Sequence, residues 1–344
     1  MLTQLPPLTD LLATHRLAGK PEQRFPHDGW SGATLTRFQR GIRRFVLKRD
    51  SLATDWIAQA THDGPLLREA WFAATHPLLP WPLRAPYVGA AVDGDAVAIL
   101  MPDLSDVLLE WEAPLDTGRF ERVLGAIAAL HAARWADEGV GPANGPWCSI
   151  EDRILLICRP SLERPGPVHD AVADRLLPGW DAFDRTAPAA ARELVAALAD
   201  DPAPLIAALD ALPKTLLHGD LKLANVGITA DGSVDLIDWQ MVMFGPVAIE
   251  LGWFLAANVA ALPLTPDEVL ARYAALRADE EPPVAAADLE LAWIVGLLLR
   301  GWRKGHDAEA GTLFASGMTG ADDLELWCRR AVDAANRLPG FGAG

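Results

Sequence analysis

The chain has 344 residues, enough for about two ordinary domains or for one large domain with two lobes. Hydrophobic residues make up 51% of it and charged residues 22%, which is ordinary globular usage and excludes a disordered or fibrous protein. The formal net charge of −16 opposes binding to a phosphate backbone, so the sequence predicts no nucleic-acid partner.

The first hundred residues favour short strands separated by turns. Residues 28–50 predict a hairpin or meander, and its second half, RRFVLKR at residues 43–49, has the period of two that is typical of a strand. A helix is predicted around residues 65–75. Asp-Gly and Gly-Asp steps between two apolar runs in residues 91–104 predict a second hairpin. This part of the chain therefore indicates an α+β lobe.

Helical patterns dominate the rest of the chain. Apolar side chains recur at helical spacing from Phe120 to His131, which predicts an amphipathic helix there. Proline and glycine accumulate in residues 139–146, 159–167 and 279–283, and we interpret these segments as loops.

The cysteines and the apolar runs indicate the cellular compartment in which the protein is expected. Cys148, Cys158 and Cys328 are an odd set without metal-ligand spacing, which predicts neither a disulfide framework nor a zinc site and fits a reducing cytoplasm. The first residues do not resemble a secretory signal, and the longest apolar runs are interrupted or shorter than the ~18 residues of a membrane-spanning helix. We therefore expect a cytoplasmic protein with no membrane partner, either a monomer or a homodimer.

One segment, LLHGDLKLANVGITADGSVDLIDWQ at residues 216–240, interrupts the helical patterns. Two short apolar runs flank an Asp-Gly turn, which predicts a hairpin. This hairpin would bring Asp220, Asn225 and Asp238 to one end. Two carboxylates and an amide oxygen are a donor set that suits Mg²⁺, which prefers oxygen ligands.

Phosphoryl transfer requires the residue types of this segment. An acid must orient and deprotonate a hydroxyl, oxygen ligands must hold Mg²⁺ on the phosphates, and a positive charge must lie near the transferred group. Asp220 fits the first role, Asn225 and Asp238 the second, and Lys222 the third. Each Asp or Asn taken singly is a common turn residue, but their combined spacing favours a functional site.

With these residues, the chain resembles the aminoglycoside phosphotransferase and choline kinase family, relatives of the protein kinases. The resemblance covers roughly residues 29–302. It implies an α+β, two-lobed, protein kinase-like fold, with a small, mostly antiparallel β lobe in residues 1–103 and a larger, mainly helical lobe in residues 104–344. It also implies ATP and Mg²⁺ as cofactors and a small-molecule acceptor that is aminoglycoside-, choline- or sugar-like.

The resemblance also implies roles for the residues of this segment. Asp220 matches the catalytic Asp of the family's His-Gly-Asp loop, and Asn225 matches the Asn five residues later. Asp238 matches the metal-binding Asp that protein kinases place in Asp-Phe-Gly, although Trp239 and Gln240 follow it in this chain.

Two residues of the first lobe extend the predicted site. The family expects a strand lysine on the α- and β-phosphates, and Lys48 in FVLK fits, with Val46 on the same face against the adenine. The alternative is a solvated lysine on an edge strand. Glu69 is predicted to pair with this lysine, with Asp55 and Asp63 as competitors.

Two further segments are predicted to contact the nucleotide. In GWSGAT, residues 29–34, Ser31, Gly32 and nearby amides are candidate phosphate contacts, although an ordinary hairpin turn explains the glycines equally well. In AILMPDL, residues 98–104, the backbone from Met101 to Asp103 is the candidate hinge that contacts the adenine edge. A plain strand end is the alternative there.

The remaining polar positions receive structural interpretations. His218 is expected to hold its loop by hydrogen bonds, because no second histidine lies at metal-ligand spacing. His131 is expected to be a buried core histidine. Glu250 lies where relatives have an Asp that braces the catalytic loop. The acceptor pocket is expected from residues 181–210 and 293–327, which carry no motif.

Three alternatives to a small-molecule kinase fit the sequence less well. A protein kinase needs an activation segment, and the eleven residues between Asp238 and Glu250 are too few for one. A hydrolase is disfavoured, because the sequence contains neither a Gly-x-Ser-x-Gly motif nor a cluster of histidines. A nucleotide-binding pseudokinase with a regulatory or scaffolding role would not need Asp220. The sequence therefore predicts an ATP- and Mg²⁺-dependent kinase that phosphorylates a hydroxyl of a small molecule.

Overall fold

The structure is a computed structural model that describes residues 4–25, 29–164, 170–280, 283–314, 317–338 and 341. Within these residues the strands are β1 (Gln23–Phe25), β2 (Thr34–Arg40), β3 (Arg43–Asp50), β4 (Leu83–Arg84), β5 (Gly89–Asp93), β6 (Ala96–Pro102), β7 (Thr215–Leu217), β8 (Val226–Ile228), β9 (Val234–Leu236) and β10 (Met243–Gly245). The helices are α1 (Leu8–Thr14), α2 (Trp56–Ala60), α3 (Arg68–Thr75), α4 (Thr117–Ala132), α5 (Ile150–Leu155), α6 (Arg159–Leu162), α7 (Asp170–Thr186), α8 (Ala189–Asp200), α9 (Ala203–Asp210), α10 (Val247–Asn258), α11 (Pro266–Leu276), α12 (Ala286–Glu309) and α13 (Gly320–Arg337).

The first lobe is built on an antiparallel sheet with the strand order β1-β2-β3-β6-β5. Both predicted hairpins are present, as β2–β3 and β5–β6. Side chains alternate between the two faces of β3. Phe45 and Leu47 pack in the core that α1 covers, and Val46 packs in the core on the other face, against α3. Lys48 shares the face of Val46, so the strand carries its charge towards α3 and the second lobe.

The second lobe is organised around the 24-residue helix α12. It packs against α7, α10 and α13. Glycine permits close approach of these helices, because a Cβ on Gly252 of α10 would lie only 2.5 Å from the carbonyl oxygen of Ala292. No helix in the described part of the chain is long and apolar enough to cross a membrane.

Short strand pairs connect the sheet lobe to the helical lobe. The hairpin predicted from the central segment is β8–β9, and β4 pairs in parallel with β9. The antiparallel pair β7–β10 precedes and follows that hairpin. The start of the predicted loop at 159–167 is instead the short helix α6, whose proline lies in the first turn, where a missing N–H breaks no helical hydrogen bond. Residues 165–167 lie outside the described residues.

Candidate active site

A cleft of about 180 Å³ separates the β-sheet from the β8–β9 hairpin. Strands β3 and β6 form its upper wall, and Asn225, Ile237 and Asp238, on either side of the β8–β9 hairpin, form its floor. Most of the predicted site residues line it together: Ser31, Val46, Lys48, Glu69, Met101, Asp103, Asn225 and Asp238.

Lys48 forms two buried ion pairs at the inner end of the cleft. Its Nζ lies 2.6 Å from Glu69 Oε2 and 2.9 Å from Asp238 Oδ1. Burial lowers the pKa of Lys48, but the two carboxylates outweigh it and hold that pKa well above its usual value. Burial likewise raises the pKa of Asp238, and the charges of Lys48 and Lys222 reverse this and lower it to about 2. Both partners are therefore charged at neutral pH.

Glu69, and neither predicted competitor, contacts Lys48 in the described structure. Asp55 caps α2 by accepting the backbone N–H groups of residues 57 and 58. Asp63 accepts the backbone N–H of Arg68 at 2.7 Å. Both competitors are thus engaged with helix starts, which leaves α3 to supply the lysine's partner.

Tyr87, which lies just before β5, is a site residue that the sequence analysis missed. Its hydroxyl donates to Glu69 Oε1 at 2.8 Å and accepts the backbone N–H groups of Asp238 and Trp239 at 3.1 and 3.3 Å. Burial and the Glu69 charge raise the pKa of Tyr87 well above its usual value. The hydroxyl therefore couples α3 to the turn after β9, and no periodicity or motif marks it in the sequence.

The loop after β7 brings three predicted residues together. Lys222 Nζ lies 2.8 Å from Asp220 Oδ2. Asn225 Nδ2 donates to the backbone carbonyl of Asp220 at 2.9 Å and lies 3.4 Å from its Oδ2. Asp220 Oδ1 has no hydrogen-bond partner among the described residues. The carboxylate is therefore oriented on one side and retains an oxygen that can accept a proton.

Hydrogen bonds of His218 and a glycine in the left-handed region fix this loop. His218 Nε2 lies 2.9 Å from the carbonyl oxygen of Ile237, and its Nδ1 accepts the backbone N–H of Asp220 at 3.2 Å. Burial lowers the pKa of His218, so the ring is neutral. Gly219 has φ +82°, and a Cβ there would lie 2.0 Å from the carbonyl oxygen of Met241. His218 thus has the structural contacts that the sequence predicted.

A buried chain of hydrogen bonds braces the same loop from the helical lobe. Glu250 Oε1 accepts the backbone N–H of Gly219 at 2.7 Å, and its Oε2 lies 2.8 Å from His131 Nε2. His131 Nδ1 lies 2.8 Å from the Tyr273 hydroxyl. Burial raises the pKa of Glu250, but the His131 contact outweighs it and lowers that pKa. The longer Glu side chain therefore reaches the loop.

The segment before β2 lies over the cleft, but its glycine has a different contact from the predicted one. Ser31 lines the cleft. Gly32 has φ +99°, and a Cβ there would lie 2.5 Å from the carbonyl oxygen of Thr54. Close packing against the segment that precedes α2 therefore requires glycine at this position. A phosphate contact by the Gly32 backbone stays a prediction.

In the predicted hinge, the pairing of β6 with β3 decides which backbone N–H and C=O groups face the neighbouring strand. The backbone N–H of Asp103 donates to the carbonyl of Arg44 at 3.0 Å. Because hydrogen-bonded pairs alternate along an antiparallel ladder, Met101 also turns its backbone groups towards β3. The Pro102 carbonyl then faces away from β3, and the Leu104 N–H has no partner among the described residues. These two groups, rather than the backbone groups of Met101 and the N–H of Asp103, are open to a ligand in the cleft.

The Asp103 carboxylate is held by its own neighbours. It lies 2.7 Å from Arg37 Nε, and Ser105 donates to it from both its backbone N–H and its hydroxyl. Burial raises its pKa, but these hydrogen bonds and the charges of Arg37 and Arg44 lower it overall. Asp103 therefore anchors the end of β6.

A small second cavity lies beside Glu69 and is lined by buried carboxyl groups. They belong to Asp50, Asp55, Asp63 and Glu69, and Gln240 also faces this space. Burial and the neighbouring Asp55 raise the pKa of Asp50 to about 8. Asp50 is therefore protonated at neutral pH, which removes one of the like charges.

The family model of the phosphotransferase enzyme family matches residues 22–287, which is most of the chain. The chain belongs to this family. The matched region of this phosphotransferase includes both the sheet and the loop that carries Asp220. All residues that line the cleft therefore lie within the match. No curated protein matches the sequence.

Solved structures share the fold of this phosphotransferase at low sequence identity. The choline kinase LicA from Streptococcus pneumoniae is 13% identical with a TM-score of 0.53, over 95% of this chain and 96% of that one. LicA in complex with AMP is 14% identical with a TM-score of 0.51, over 97% and 98%. A spectinomycin phosphotransferase in complex with ADP and spectinomycin is 15% identical with a TM-score of 0.47, over 95% and 93%. The two-lobed, protein kinase-like fold predicted from the sequence is confirmed.

Proposed function

We propose that this phosphotransferase is an ATP- and Mg²⁺-dependent kinase that phosphorylates a hydroxyl of a small molecule. The observation that carries the proposal is the meeting of the Lys48 ion pairs with the Asp220 loop around one cleft. Residues 1–103 would form the nucleotide-binding lobe and residues 104–344 the catalytic and acceptor-binding lobe. The chain would act in the cytoplasm.

The cleft offers a complementary group for each part of ATP. Val46 and Met101 provide apolar surface for the adenine, and the Pro102 carbonyl and the Leu104 N–H supply one acceptor and one donor for its edge. Lys48, fixed by Glu69, supplies a cation for the phosphates. LicA, which has this fold, has been solved with AMP.

The donor set at the floor of the cleft fits Mg²⁺. The side-chain nitrogen of Asn225 donates to Asp220, so its side-chain oxygen remains free to bind a metal. Asp238 supplies a carboxylate at the same place. The described residues contain no group of three or more His, Cys, Asp or Glu side chains that could hold a metal by themselves. One carboxylate and one amide, completed by phosphate oxygens and waters, is typical of Mg²⁺, which would neutralise phosphate charge there.

The chain's residues support direct transfer to a hydroxyl. The acceptor oxygen forms a bond to the γ-phosphorus while the bond from that phosphorus to the β–γ bridging oxygen breaks and ADP leaves. Asp220 accepts the proton of the attacking hydroxyl through its unpartnered Oδ1. Lys222, held 2.8 Å from Asp220, offsets negative charge on the transferred group.

The segment after Asp238 favours a small acceptor over a protein. The residues from Trp239 to Ile249 form a 3₁₀ turn, the strand β10 and the start of α10. No length remains there for an activation segment that would present a peptide. An open surface for a protein substrate is therefore missing from this part of the described structure.

The first prediction tests the role of Asp220. We expect Asp220→Asn to lower acceptor-dependent ADP release by about 10²- to 10⁴-fold, the usual contribution of a general base. Mg-ATP affinity should stay within about twofold, because Asp220 does not line the nucleotide cleft. ADP release and equilibrium Mg-ATP binding are measured with hydroxyl compounds of neutral, cationic and anionic classes.

Asp210→Asn is the matched control, because Asp210 is an exposed carboxylate on α9 that pairs with Lys214. It should leave both quantities unchanged. Full turnover in Asp220→Asn would contradict the proposed base. Tight Mg-ATP binding by the wild-type chain without any acceptor-stimulated release would instead indicate the pseudokinase.

A further inference from the structure

Arg300, in the middle of α12, is a buried cation without a partner. Its side chain is only 6% exposed, and it makes no hydrogen bond or ion pair with any described residue. Its Nε is among the buried nitrogen atoms that lack a hydrogen-bond partner. Burial lowers the pKa of Arg300 to about 10, so the guanidinium is still charged at neutral pH. A buried, unpaired charge is costly, and proteins normally pair it.

Three tryptophan rings surround this guanidinium. Its Cζ lies 5.6 Å from the ring centres of Trp111 and Trp253 and 4.8 Å from that of Trp302. Such a cage of aromatic faces is the arrangement that binds organic cations, and here the chain's own cation fills it. The indole N–H groups of Trp253 and Trp302 are also buried without a partner. The site therefore offers several donors and lacks an acceptor.

This cage lies beside the Asp220 loop, through the contact of Trp111 with Lys222. Trp111 also faces Lys222, whose Nζ is 5.7 Å from its ring centre. Lys222 in turn pairs with Asp220 at 2.8 Å. Neither Arg300 nor any of the three tryptophans lines the nucleotide cleft. A group bound at Arg300 would therefore belong to the molecule whose hydroxyl meets Asp220.

The carboxylates that influence Arg300 electrostatically are already paired with other cations. Those that act on its charge are Asp307, Asp220 and Glu112. Asp307 and Glu112 both bind Arg303, at 2.8 and 3.2 Å, while Asp220 binds Lys222. In the described part of the chain, Arg300 therefore has no carboxylate of its own.

We infer that the phosphate acceptor carries an oxyanion, a carboxylate or a phosphate ester, that binds Arg300 while its hydroxyl meets Asp220. This inference rests on the proposed kinase function. A guanidinium matches both oxyanions because its parallel N–H groups pair with two oxygens. An acceptor with a quaternary ammonium or several amines is disfavoured, since Arg300 already occupies the aromatic cage and would repel a second cation.

The test compares acceptors that differ only in this group. Mg-ATP-dependent ADP release is measured with glycerol, glycerate and glycerol 3-phosphate, and with glucose, gluconate and glucose 6-phosphate, beside choline, ethanolamine and an aminoglycoside. We expect a carboxylate or phosphate member to have at least a tenfold higher kcat/KM than its neutral counterpart, and the better of the two identifies the oxyanion. Equal or better turnover of a neutral or cationic acceptor would overturn the inference and leave the kinase proposal standing.

Variants of Arg300 separate acceptor binding from phosphoryl transfer. Arg300→Gln should raise KM for the anionic acceptor about ten- to a hundredfold, as expected for a charged hydrogen bond, and leave KM for ATP within about twofold. Arg300→Lys should recover part of the loss and serves if the Gln variant does not fold. Arg272→Gln, at an exposed arginine on α11 that pairs with Glu121, is the matched control and should change KM for the acceptor less than threefold. A higher KM for ATP, or an equal fall in kcat with every acceptor, would overturn the inference.

A binding measurement gives a result even when no acceptor in the panel is turned over. The side-chain Nε–H resonance of Arg300, assigned by its loss in Arg300→Gln, is followed in ¹⁵N-labelled protein during titration with glycerate, gluconate and inorganic phosphate. A saturable shift that acetamide does not produce supports the oxyanion site, and no shift with any oxyanion overturns it. Failure of the kinase proposal is recognised separately, by the absence of Mg-ATP binding or by Mg-ATP binding without any acceptor-stimulated ADP release.

Discussion

At the scale of single residues, Lys48 and Tyr87 differ in how far sequence could predict them. Lys48 stands on a strand with a recognisable pattern, so its place on β3 and its glutamate partner were both predicted, although its burial was not. Tyr87 was not, because its hydroxyl acts through partners 18, 151 and 152 positions away in the sequence. Contacts of this kind depend on how α3 and the turn after β9 approach each other, and no local pattern records that.

The second prediction concerns the Tyr87 hydroxyl. Tyr87→Phe removes the acceptor of two backbone N–H groups and the donor to Glu69, and should lower the free energy of unfolding by about 1–3 kcal/mol. KM for ATP should rise severalfold, because Glu69 and the backbone of Asp238 lose a shared anchor. Urea unfolding and initial-rate kinetics measure the two effects.

Tyr273→Phe provides the comparison, since it removes the other tyrosine hydroxyl of the chain, on α11. A similar loss of stability with unchanged KM for ATP is expected there. If both variants changed KM for ATP equally, the specific role of Tyr87 at the cleft would be wrong.

At the scale of elements, the loop after β7 is specified partly by local sequence and partly by its surroundings. His218, Asp220 and Asn225 bond within a few residues of each other or across the β8–β9 hairpin, and their spacing predicted this meeting. Gly219 is different. Its left-handed conformation and its 2.0 Å approach to the Met241 carbonyl arise from the segment before β10, so the need for glycine appears only in the folded chain.

The third prediction concerns this approach. Gly219→Ala combines a strained φ with an overlap against backbone that no side chain can relieve, and should cost about 3 kcal/mol or more in unfolding free energy. Displacement of the loop should also reduce kcat strongly. Thermal and urea unfolding, with activity at a temperature where the variant is folded, measure both.

The control for strain alone is Gly94→Ala, at the turn between β5 and β6. Gly94 has φ +64°, and a Cβ there would meet nothing within 4 Å. It should therefore cost only the left-handed penalty of about 1–2 kcal/mol and leave kcat unchanged. Equal losses in both variants would contradict the proposed clash.

At the scale of the whole molecule, carboxyl groups are abundant in the interior as well as in the sequence as a whole. Asp50 is protonated in the folded protein because burial and Asp55 raise its pKa from 3.8 to about 8. In the unfolded chain it ionises near pH 4. The folded state therefore binds more protons between these values, and stability must fall as pH rises through that window.

The fourth prediction follows from this sign. Asp50 alone should lower the free energy of unfolding between about pH 5 and pH 8 by at most about 1.4 kcal/mol per pH unit, the limit for one proton. Other buried carboxyl groups with raised pKa values, such as Asp288 at about 6, add to the slope of the wild-type chain. Asp50→Asn, which is neutral at every pH, should flatten the profile and be more stable than wild type at pH 8. Urea unfolding at four pH values across this range measures the slope.

Asp231→Asn is the control, because the hydrogen bonds from Thr229 and Ser233 lower the pKa of Asp231 to about 2, outside the window. It should retain the wild-type slope. An unchanged slope in Asp50→Asn would show that the Asp50 carboxyl is ionised in the folded protein.

The sequence by itself determined the two-lobed fold and the placement of Lys48, Glu69 and the Asp220 loop around one cleft. Strand periodicity, turn residues and short spacings, which are local properties, predicted the elements and the Asp220 loop. The two lobes and the meeting of these residues in one cleft were implied by the resemblance to the kinase family. Only the tertiary structure decided the free hinge groups and the surroundings of Arg300. The backbone groups that are free at the hinge depend on which residue pairs between β3 and β6 are hydrogen-bonded. The cage joins Trp111, Trp253 and Arg300 from three distant segments, and helix packing alone leaves that cation without a partner.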